Sequence, residues 1–376
     1  MNTNSLLRRI ALLASALALG VIIFGSFVRL SNAGLSCPDW PTCYGEITWP
    51  KADHEIAAAN QDYERAVESH KTWREQFHRH LAAILGLLVL SIALLAAADQ
   101  RGGRRNILFA AVLVAVSIPL YIMQKPIIAV LLASLGEMIL LASAWHWRAR
   151  PKAAVGILIL AVIVFQAVLG MWTVTWLLKP IVVMAHLMGG LATLGLLTWL
   201  TLRCYNVAAR PGETLPRRSL VIVGLALLAV QISLGGWTSA NYAAWACGTD
   251  FPTCLGQWWP QADYREGFVL WRGIGVDYEG GILDGPARTA IQMVHRLFAI
   301  LLAGHLLMLC WRLIGHRQLR AHGIALLVLL STQIGLGIAN VKLGLPLHAA
   351  VAHNAVAALL MLSLIFVLAR LTPTRH

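Results

Sequence analysis

Residues 292–311 read QMVHRLFAILLAGHLLMLCW, and residues 75–98 read EQFHRHLAAILGLLVLSIALLAAA. Each stretch opens with a histidine and an arginine, followed by an apolar run of the kind that crosses a bilayer as a helix. His78 and His295 therefore stand at the mouths of two equivalent membrane helices. The clearest difference is that Glu75 corresponds to the neutral Gln292. This pair of stretches predicts two related halves whose sites do different work.

The rest of the chain is as apolar as these two stretches. Of its 376 residues 58% are hydrophobic and 12% charged, and the mean hydropathy of +0.69 excludes an ordinary soluble globular protein. Apolar runs predict ten spans, or eight spans with a re-entrant hairpin over 107–145, because Pro119 interrupts one run there and only three residues separate it from the next. The ten predicted spans are 10–30, 78–98, 107–124, 127–145, 153–173, 181–202, 219–239, 289–311, 323–341 and 347–369.

The charges predict an orientation for these spans. With the N-terminus on the cytoplasmic side, that side carries 17 cations against only Asp99 and Glu213, and the outer side carries 13 cations and 14 carboxylates, with Glu137 inside a span. This is the positive-inside pattern of a bacterial cytoplasmic membrane protein. Both termini are thus predicted to be cytoplasmic. The net charge of +13 indicates anionic lipid as the partner and not nucleic acid.

An internal repeat predicts the architecture. GSFVRLSNAGLSCPDWPTCYGEITWP after the first span matches GGWTSANYAAWACGTDFPTCLGQWWP in the second half, and QAVLG at 166–170 matches QIGLG at 333–337. We predict an all-α polytopic membrane protein of two pseudo-symmetric four-helix bundles in parallel repeat. The first bundle covers 1–205, with an extra apolar helix pair at 104–150. A cytoplasmic linker at 206–218 leads to the second bundle, 219–376.

Four histidines recur at matching positions of this repeat: His78, His186, His295 and His353. Each lies within about two turns of the outer end of a span, where an ionisable side chain is costly and rarely without function. Two imidazoles facing each other across a bundle can ligate a heme iron. We therefore predict His78 with His186 in one site and His295 with His353 in the other. For any one of them alone, an interfacial hydrogen-bonding role is the simpler interpretation.

Charged residues near these histidines are further candidates. Glu75 lies on the same helix face as His78, where a carboxylate can take a proton, hold a water or orient substrate; the alternative is a solvated carboxylate favoured by the helix dipole. Arg29, Arg79 and Arg296 lie where guanidinium groups can pair with heme propionates, or simply reach the membrane interface.

Two cysteine pairs fall in the two long outer loops. Cys37 with Cys43 and Cys247 with Cys254 lie in the oxidising compartment, where disulfides persist, so both pairs are candidate disulfides. A structural disulfide is one interpretation and a redox role for Cys37 and Cys43 is the other. Metal binding is disfavoured because neither pair has the usual two-residue spacing.

In combination these motifs resemble the heme A synthase family of bacteria and mitochondria. The segments that carry the resemblance are NAGLSCPDWPTCYG, EQFHR, QAVLGMWTVTWLLKPIVVMAHL, CGTDFPTCLGQWWP, MVHR and LHAAVAHNAVAALL. The resemblance implies oxidation of the C8 methyl group of heme O to a formyl group, which gives heme A for terminal oxidases. It also implies that the first half holds substrate heme O at His78 and His186 with Glu75 as the catalytic residue, and that the second half holds heme b at His295 and His353. The extra helix pair and the longer Cys247–Cys254 spacing depart from the family pattern.

The conversion of a methyl group to an aldehyde removes four electrons, in keeping with two hydroxylations and loss of water from a gem-diol. The resemblance also implies delivery of heme O from a heme O synthase, an unidentified electron donor and a possible homo-oligomer. Two other functions remain open at this point, a di-heme b-type membrane electron carrier and a heme transporter. The first gives Glu75 no particular role, and the second requires only transient binding by the histidines.

Overall fold

The computed structural model describes residues 3–208 and 217–373, and this part of the chain is helical without a β-strand. Ten of its helices are long and apolar enough to cross a membrane, judged by length and composition. The predicted linker, 206–218, falls mostly on residues outside the described part, as do the two chain ends. The helices are α1 (Thr3–Leu30), α2 (Asp53–Asp62), α3 (Ser69–Ala96), α4 (Gly103–Ile122), α5 (Pro126–His146), α6 (Pro151–Thr175), α7 (Pro180–Cys204), α8 (Arg218–Ala240), α9 (Tyr264–Gly267), α10 (Gly285–Ile314), α11 (Arg320–Lys342) and α12 (Leu347–Leu371).

The ten long helices coincide with the ten predicted spans, so the all-α, polytopic fold class is confirmed. Both members of the uncertain pair, α4 and α5, are continuous helices of 20 and 21 residues. Pro119 does not break α4 because it lies in the last turn, where its missing N–H removes one hydrogen bond and the helix ends three residues later. Proline at the first position of α5 begins the next helix with its φ already helical.

Helix α3 begins nine residues before the predicted span. Its first turns, from Ser69 to Phe77, are polar and were assigned to the loop by hydropathy. They are helical because they pack against the first outer loop, where Thr72, Glu75 and Gln76 are 0%, 4% and 2% exposed. The N-terminal end of α3 therefore packs against the loop between α1 and α3.

The described residues form two compact units. Unit 1 lies within Met1–Ala18, Leu81–Val168 and Ala192–Val207, and unit 2 within Leu19–His80, Leu169–Leu191 and Ala208–His376. In unit 1, α4 and α5 pack closely, with Gly136 so near α4 that an added Cβ would stand 3.0 Å from the Ala110 carbonyl oxygen. All four candidate histidines lie in unit 2.

Within unit 2, the second half forms a closed four-helix bundle. Helix α8 packs on α10, α10 on α11, α11 on α12, and α12 on α8. Its core is leucine-rich, with Leu306, Leu326 and Leu364 each 0% exposed. The division of the chain into two pseudo-symmetric halves remains a prediction.

Candidate functional site

Each of the four histidines lies against a glycine on a neighbouring helix. The contact is so close that a β-carbon added to the glycine would meet the imidazole Cε1 atom within 3.2 Å, tighter than almost any real Cβ contact. The four pairs and these distances are Gly25 on α1 with His78 on α3 at 2.7 Å, Gly170 on α6 with His186 on α7 at 3.1 Å, Gly235 on α8 with His295 on α10 at 3.2 Å, and Gly337 on α11 with His353 on α12 at 3.2 Å. The same relation therefore occurs twice in each half.

The two histidines of a half are close to each other. His186 lies within electrostatic range of His78, and His353 lies within electrostatic range of His295. All four side chains are partly buried. The predicted pairs are thus brought together, each pair from two different helices of unit 2.

Glutamine side chains contact the histidines of the second half. The Gln231 side-chain amide lies 3.1 Å from Nδ1 of His295, and the Gln333 amide lies 3.2 Å from Nε2 of His353. Contacts of this kind limit the rotation of each imidazole ring.

The Glu75 side chain is 5% exposed and lies between α3 and the first disulfide loop. Its Oε2 atom accepts hydrogen bonds from the Cys37 backbone N–H at 2.9 Å and from the Ser36 hydroxyl at 3.1 Å. Its Oε1 atom forms an ion pair with Arg79 at 2.6 Å. The carboxylate is therefore fully engaged by three donors, one helical turn before His78.

Gln292, the counterpart of Glu75, lies in a different environment. It is 5% exposed, and its Oε1 atom is buried without a hydrogen-bond partner in the described part of the chain. The two halves thus differ in charge and in hydrogen bonding at this position. The asymmetry noted in the sequence is present as a structural difference.

The three arginines predicted to bind propionates are held by the protein itself. Arg79 donates to the backbone carbonyls of Asp39 at 2.8 Å and Thr42 at 2.6 Å, in addition to Glu75. Arg296 repeats this with the carbonyls of Thr253 at 3.0 Å and Asp250 at 3.1 Å. These contacts fix each disulfide loop to the N-terminal part of the helix that carries a histidine.

Arg29 is held in a similar way. Its guanidinium donates to the Tyr242 hydroxyl at 2.9 Å and to the Ser239 carbonyl at 2.7 Å, and it stacks over the Tyr242 ring. The contacts link the end of α1 to the end of α8. Propionate binding by Arg29, Arg79 and Arg296 remains a prediction.

Both predicted cysteine pairs form disulfides in the structure, with S–S distances of 2.04 Å for Cys37–Cys43 and 2.02 Å for Cys247–Cys254. In each loop the carboxylate of an aspartate accepts hydrogen bonds from residues three to six positions further along the same loop. Asp250 accepts from the Gly256 N–H at 2.6 Å and the Thr253 hydroxyl at 2.7 Å, and these bonds, the Gly256 bond first, lower its pKa. Asp39 accepts from the Tyr44 and Gly45 backbone in the first loop.

Comparison with known proteins places this arrangement in a family. The family model of the cytochrome oxidase assembly proteins, COX15-CtaA, matches residues 8–119 and 129–365. The chain belongs to this family. The heme A synthase of Shewanella oneidensis is 39% identical to it over 92% of this chain and 90% of its own length. Heme A synthases of Rhizorhabdus wittichii and Caulobacter vibrioides are 27% and 24% identical over 94% and 93% of this chain, and 91% of each relative is covered.

The family match includes most of the helix pair that the sequence marked as extra. Only residues 120–128, which join the end of α4 to the start of α5, fall between the two matched segments. Compared with the second half of this COX15-CtaA chain, whose bundle has four spans, the first half therefore has two additional helices, α4 and α5.

Sequence reasoning missed two features of the site in this COX15-CtaA protein. The first is the set of glycines that seat the histidines, although Gly25 and Gly235 stood at matching places in the repeat, as did Gly170 and Gly337. The second is Lys179, which is fully buried beside Trp176 and Trp271. The sequence offered a signal for it, because a lysine at the outer end of a span has no counterpart in residues 343–346 of the second half.

Proposed function

We propose that this chain is a heme A synthase that oxidises the C8 methyl group of heme O to a formyl group. The observation that carries the proposal is the pair of equivalent bis-histidine arrangements, of which only one has a carboxylate beside it. Membership of the COX15-CtaA family and the names of the relatives support it. The overall change is R–CH₃ + H₂O → R–CHO + 4 H⁺ + 4 e⁻.

The residues present fit a heme in both halves. A heme iron already has four porphyrin nitrogens, so the protein needs to supply only two axial ligands, and each half offers two imidazoles from separate helices. In the described residues there is no cluster of three or more His, Cys, Asp and Glu side chains that would hold a metal ion directly. Glycines leave room for each ring at the backbone of the facing helix.

In this proposal His78 and His186 hold the substrate heme O, and His295 and His353 hold a heme b. When bound, heme b supplies one-electron redox chemistry. The histidines orient each porphyrin, and the side chains of Gln231 and Gln333 hold the imidazole rings of His295 and His353. Glu75 is the acidic group of the substrate site and handles protons there, with Arg79 and the Cys37 N–H holding its position.

The remaining expectations follow from the same proposal. The protein lies in the bacterial cytoplasmic membrane with both termini inside and the disulfide loops on the periplasmic side. It receives heme O from a heme O synthase. The four electrons removed from the methyl group pass to an oxidant, and this oxidant and the electron donor are both still to be identified. A homo-oligomer is compatible with the proposal, but the proposal does not require one.

The test is to co-express the chain with a heme O producer and to analyse the extracted hemes. Formyl heme is the expected product. Its absence together with two tightly bound b hemes would favour a membrane electron carrier, and loss of heme during purification would favour a transporter.

Glu75→Gln should retain heme in both halves and stop formyl production, since it removes the titratable group and keeps the size of the side chain. The matched control is Glu68→Gln, seven residues earlier, whose carboxylate is 44% exposed and pairs with Lys71. This control should make heme A at the wild-type level. Full activity of Glu75→Gln would remove Glu75 from the mechanism.

A further inference from the structure

Lys179 is a fully buried cation without an acceptor. Its side chain is 0% exposed, and its Nζ atom has no hydrogen-bond partner in the described part of the chain. Burial of an ammonium group without an acceptor is costly, and here it lowers the pKa of Lys179. The three N–H donors of this ammonium can therefore bind an anion.

Aromatic rings surround this ammonium. Nζ lies 3.4 Å from the centroid of the Trp271 ring and 5.3 Å from that of Trp176, and Trp172 stacks on Trp176 with centroids 4.7 Å apart. Ring faces attract a cation but accept no full hydrogen bond from it. Trp271 is itself 64% exposed, so one side of this enclosure consists of a surface side chain.

Trp271 belongs to the long outer loop of the second half, and that loop is fixed next to Lys179. The Tyr278 N–H donates to the Leu177 carbonyl at 3.1 Å, and Tyr278 is 1% exposed in a cluster with Leu178 and Leu35. Arg65 of the first outer loop pairs with Glu279 at 2.9 Å. The ring over Lys179 is thus held by its loop, although its outer face is open.

Lys179 is aligned with one of the candidate heme ligands. Its carbonyl accepts from the N–H groups of Val182 and Val183, so it caps the start of α7. His186 follows seven residues later, about two turns and about 10 Å further along α7. Porphyrin propionates project from one edge of the ring. A heme ligated by His186 with this edge outward would therefore turn its carboxylates toward Lys179.

No buried lysine equivalent to Lys179 occurs in the described residues of the second half. The corresponding connection reads Leu343-Gly344-Leu345-Pro346, and Trp245 packs directly on Gly344, where an added Cβ would stand 3.0 Å from the ring. Lys342, the nearest cation, is exposed. A buried ammonium is therefore specific to the half with Glu75.

We propose that Lys179 is the anion subsite that binds a propionate carboxylate of the porphyrin held in the first half. This inference rests on the proposed function, since it requires a heme at His78 and His186. The carboxylate supplies the acceptor that the ammonium lacks, and Trp271 shields the ion pair from water, which strengthens it. Arg29, Arg79 and Arg296 are less suited because their guanidinium groups already donate to protein acceptors.

The test compares hemin with its dimethyl ester, in which both propionates are neutral. Each is titrated into the full-length protein in detergent, and the absorption change that His186→Ala removes is assigned to the first half. Wild-type protein should bind hemin more tightly than the ester at this site. Lys179→Met should lose about tenfold to a hundredfold in hemin affinity and bind both compounds equally, as expected for loss of one charge-assisted hydrogen bond. Lys179→Arg should keep most of the preference for hemin.

Lys342→Met is the matched control, since it removes an exposed lysine at the outer end of α11 and should change neither affinity. The heme signal of the second half reports whether each variant is folded, and Lys179→Gln replaces Lys179→Met if the latter is not. Equal affinity of the wild-type site for hemin and the ester, or an unchanged preference in a folded Lys179 variant, would overturn the inference. If hemin produces no His186-dependent signal at all, the heme assignment of the proposed function fails instead.

Discussion

A histidine that ligates a heme iron must be held in one rotamer. Here a glycine on the facing helix limits the movement of the imidazole ring. The rings of His78 and His186 pack on Gly25 and Gly170 with no room for a methyl group between. The lack of a Cβ allows the imidazole to approach the backbone, and the backbone then limits the movement of the ring. Preorganisation of this kind reduces the entropy lost when a ligand binds.

We expect Gly25→Ala to weaken heme binding in the first half. The new methyl group would stand 2.7 Å from Cε1 of His78, so the ring must leave its rotamer or the helices must separate. Overpacking of this kind costs about 1–3 kcal/mol. The measurement is heme occupancy of each half after purification, read from absorption spectra in a His186→Ala and a His353→Ala background.

Gly20→Ala is the control on the same helix, because nothing lies within 4 Å of its added Cβ. It should leave both hemes in place. An unchanged first-half heme in Gly25→Ala would mean that the His78 ring adopts another position in the working protein.

The residue-level predictions from the sequence were limited by what one-dimensional patterns report. The repeat identified the four histidines because they stand at matching positions at the outer ends of apolar runs. It did not identify the role of Gly25 or the burial of Lys179. Both depend on which residue of another helix lies opposite, and the spacing along one helix contains no information about that.

At the scale of elements, the main feature is the connection between each disulfide loop and its histidine helix. Arg79 joins α3 to the first loop, and Arg296 joins α10 to the second. The two differ in one respect, since Arg79 also neutralises buried Glu75, whereas Arg296 lies one turn from the neutral Gln292. Arg79 therefore forms an ion pair, whereas Arg296 donates to neutral backbone carbonyls.

We expect Arg79→Met to destabilise the protein by about 3 kcal/mol, because it leaves a buried carboxylate without its cation. Arg296→Met should cost only about 1.5 kcal/mol, the contribution of hydrogen bonds from a charged donor. Thermal unfolding in detergent measures the difference, and hydrogen exchange of residues 37–44 reports on the loop itself.

The double variant Arg79→Met/Glu75→Gln provides the control for this explanation. With the carboxylate removed, it should recover about 1 kcal/mol or more relative to Arg79→Met alone, as expected for two residues in direct contact. Equal losses in Arg79→Met and Arg296→Met, with no recovery in the double variant, would mean that the ion pair contributes nothing to stability.

Hydropathy located the elements well but not their outer ends. All ten long apolar helices were found because a bilayer requires a long apolar run for each crossing. The first two turns of α3 were missed because their polar residues are buried by the disulfide loop and not by lipid. A pattern that reports transfer into lipid cannot detect a polar helix stabilised by a neighbouring loop.

At the scale of the whole molecule, the number of crossings determines on which side each loop lies. Ten spans put both termini on the same side, and so do eight spans with a re-entrant α4–α5 pair. The two topologies differ at the turn between α4 and α5. Lys125 is exposed in this turn and would face the outer side only if both helices cross the membrane.

We expect Lys125→Cys to react with a membrane-impermeant thiol reagent added to the outer side of intact spheroplasts. The variant is made with Cys204 and Cys310 replaced by serine, since these are the free cysteines among the described residues. Leu343→Cys, between α11 and α12, is the outer-side control, and Arg317→Cys, between α10 and α11, is the inner-side control. Labelling of Lys125→Cys only after permeabilisation, as for Arg317→Cys, would show that α4 and α5 enter and leave on the cytoplasmic side. The chain would then have eight crossings, and the positive-inside assignment of the two disulfide loops would be unchanged.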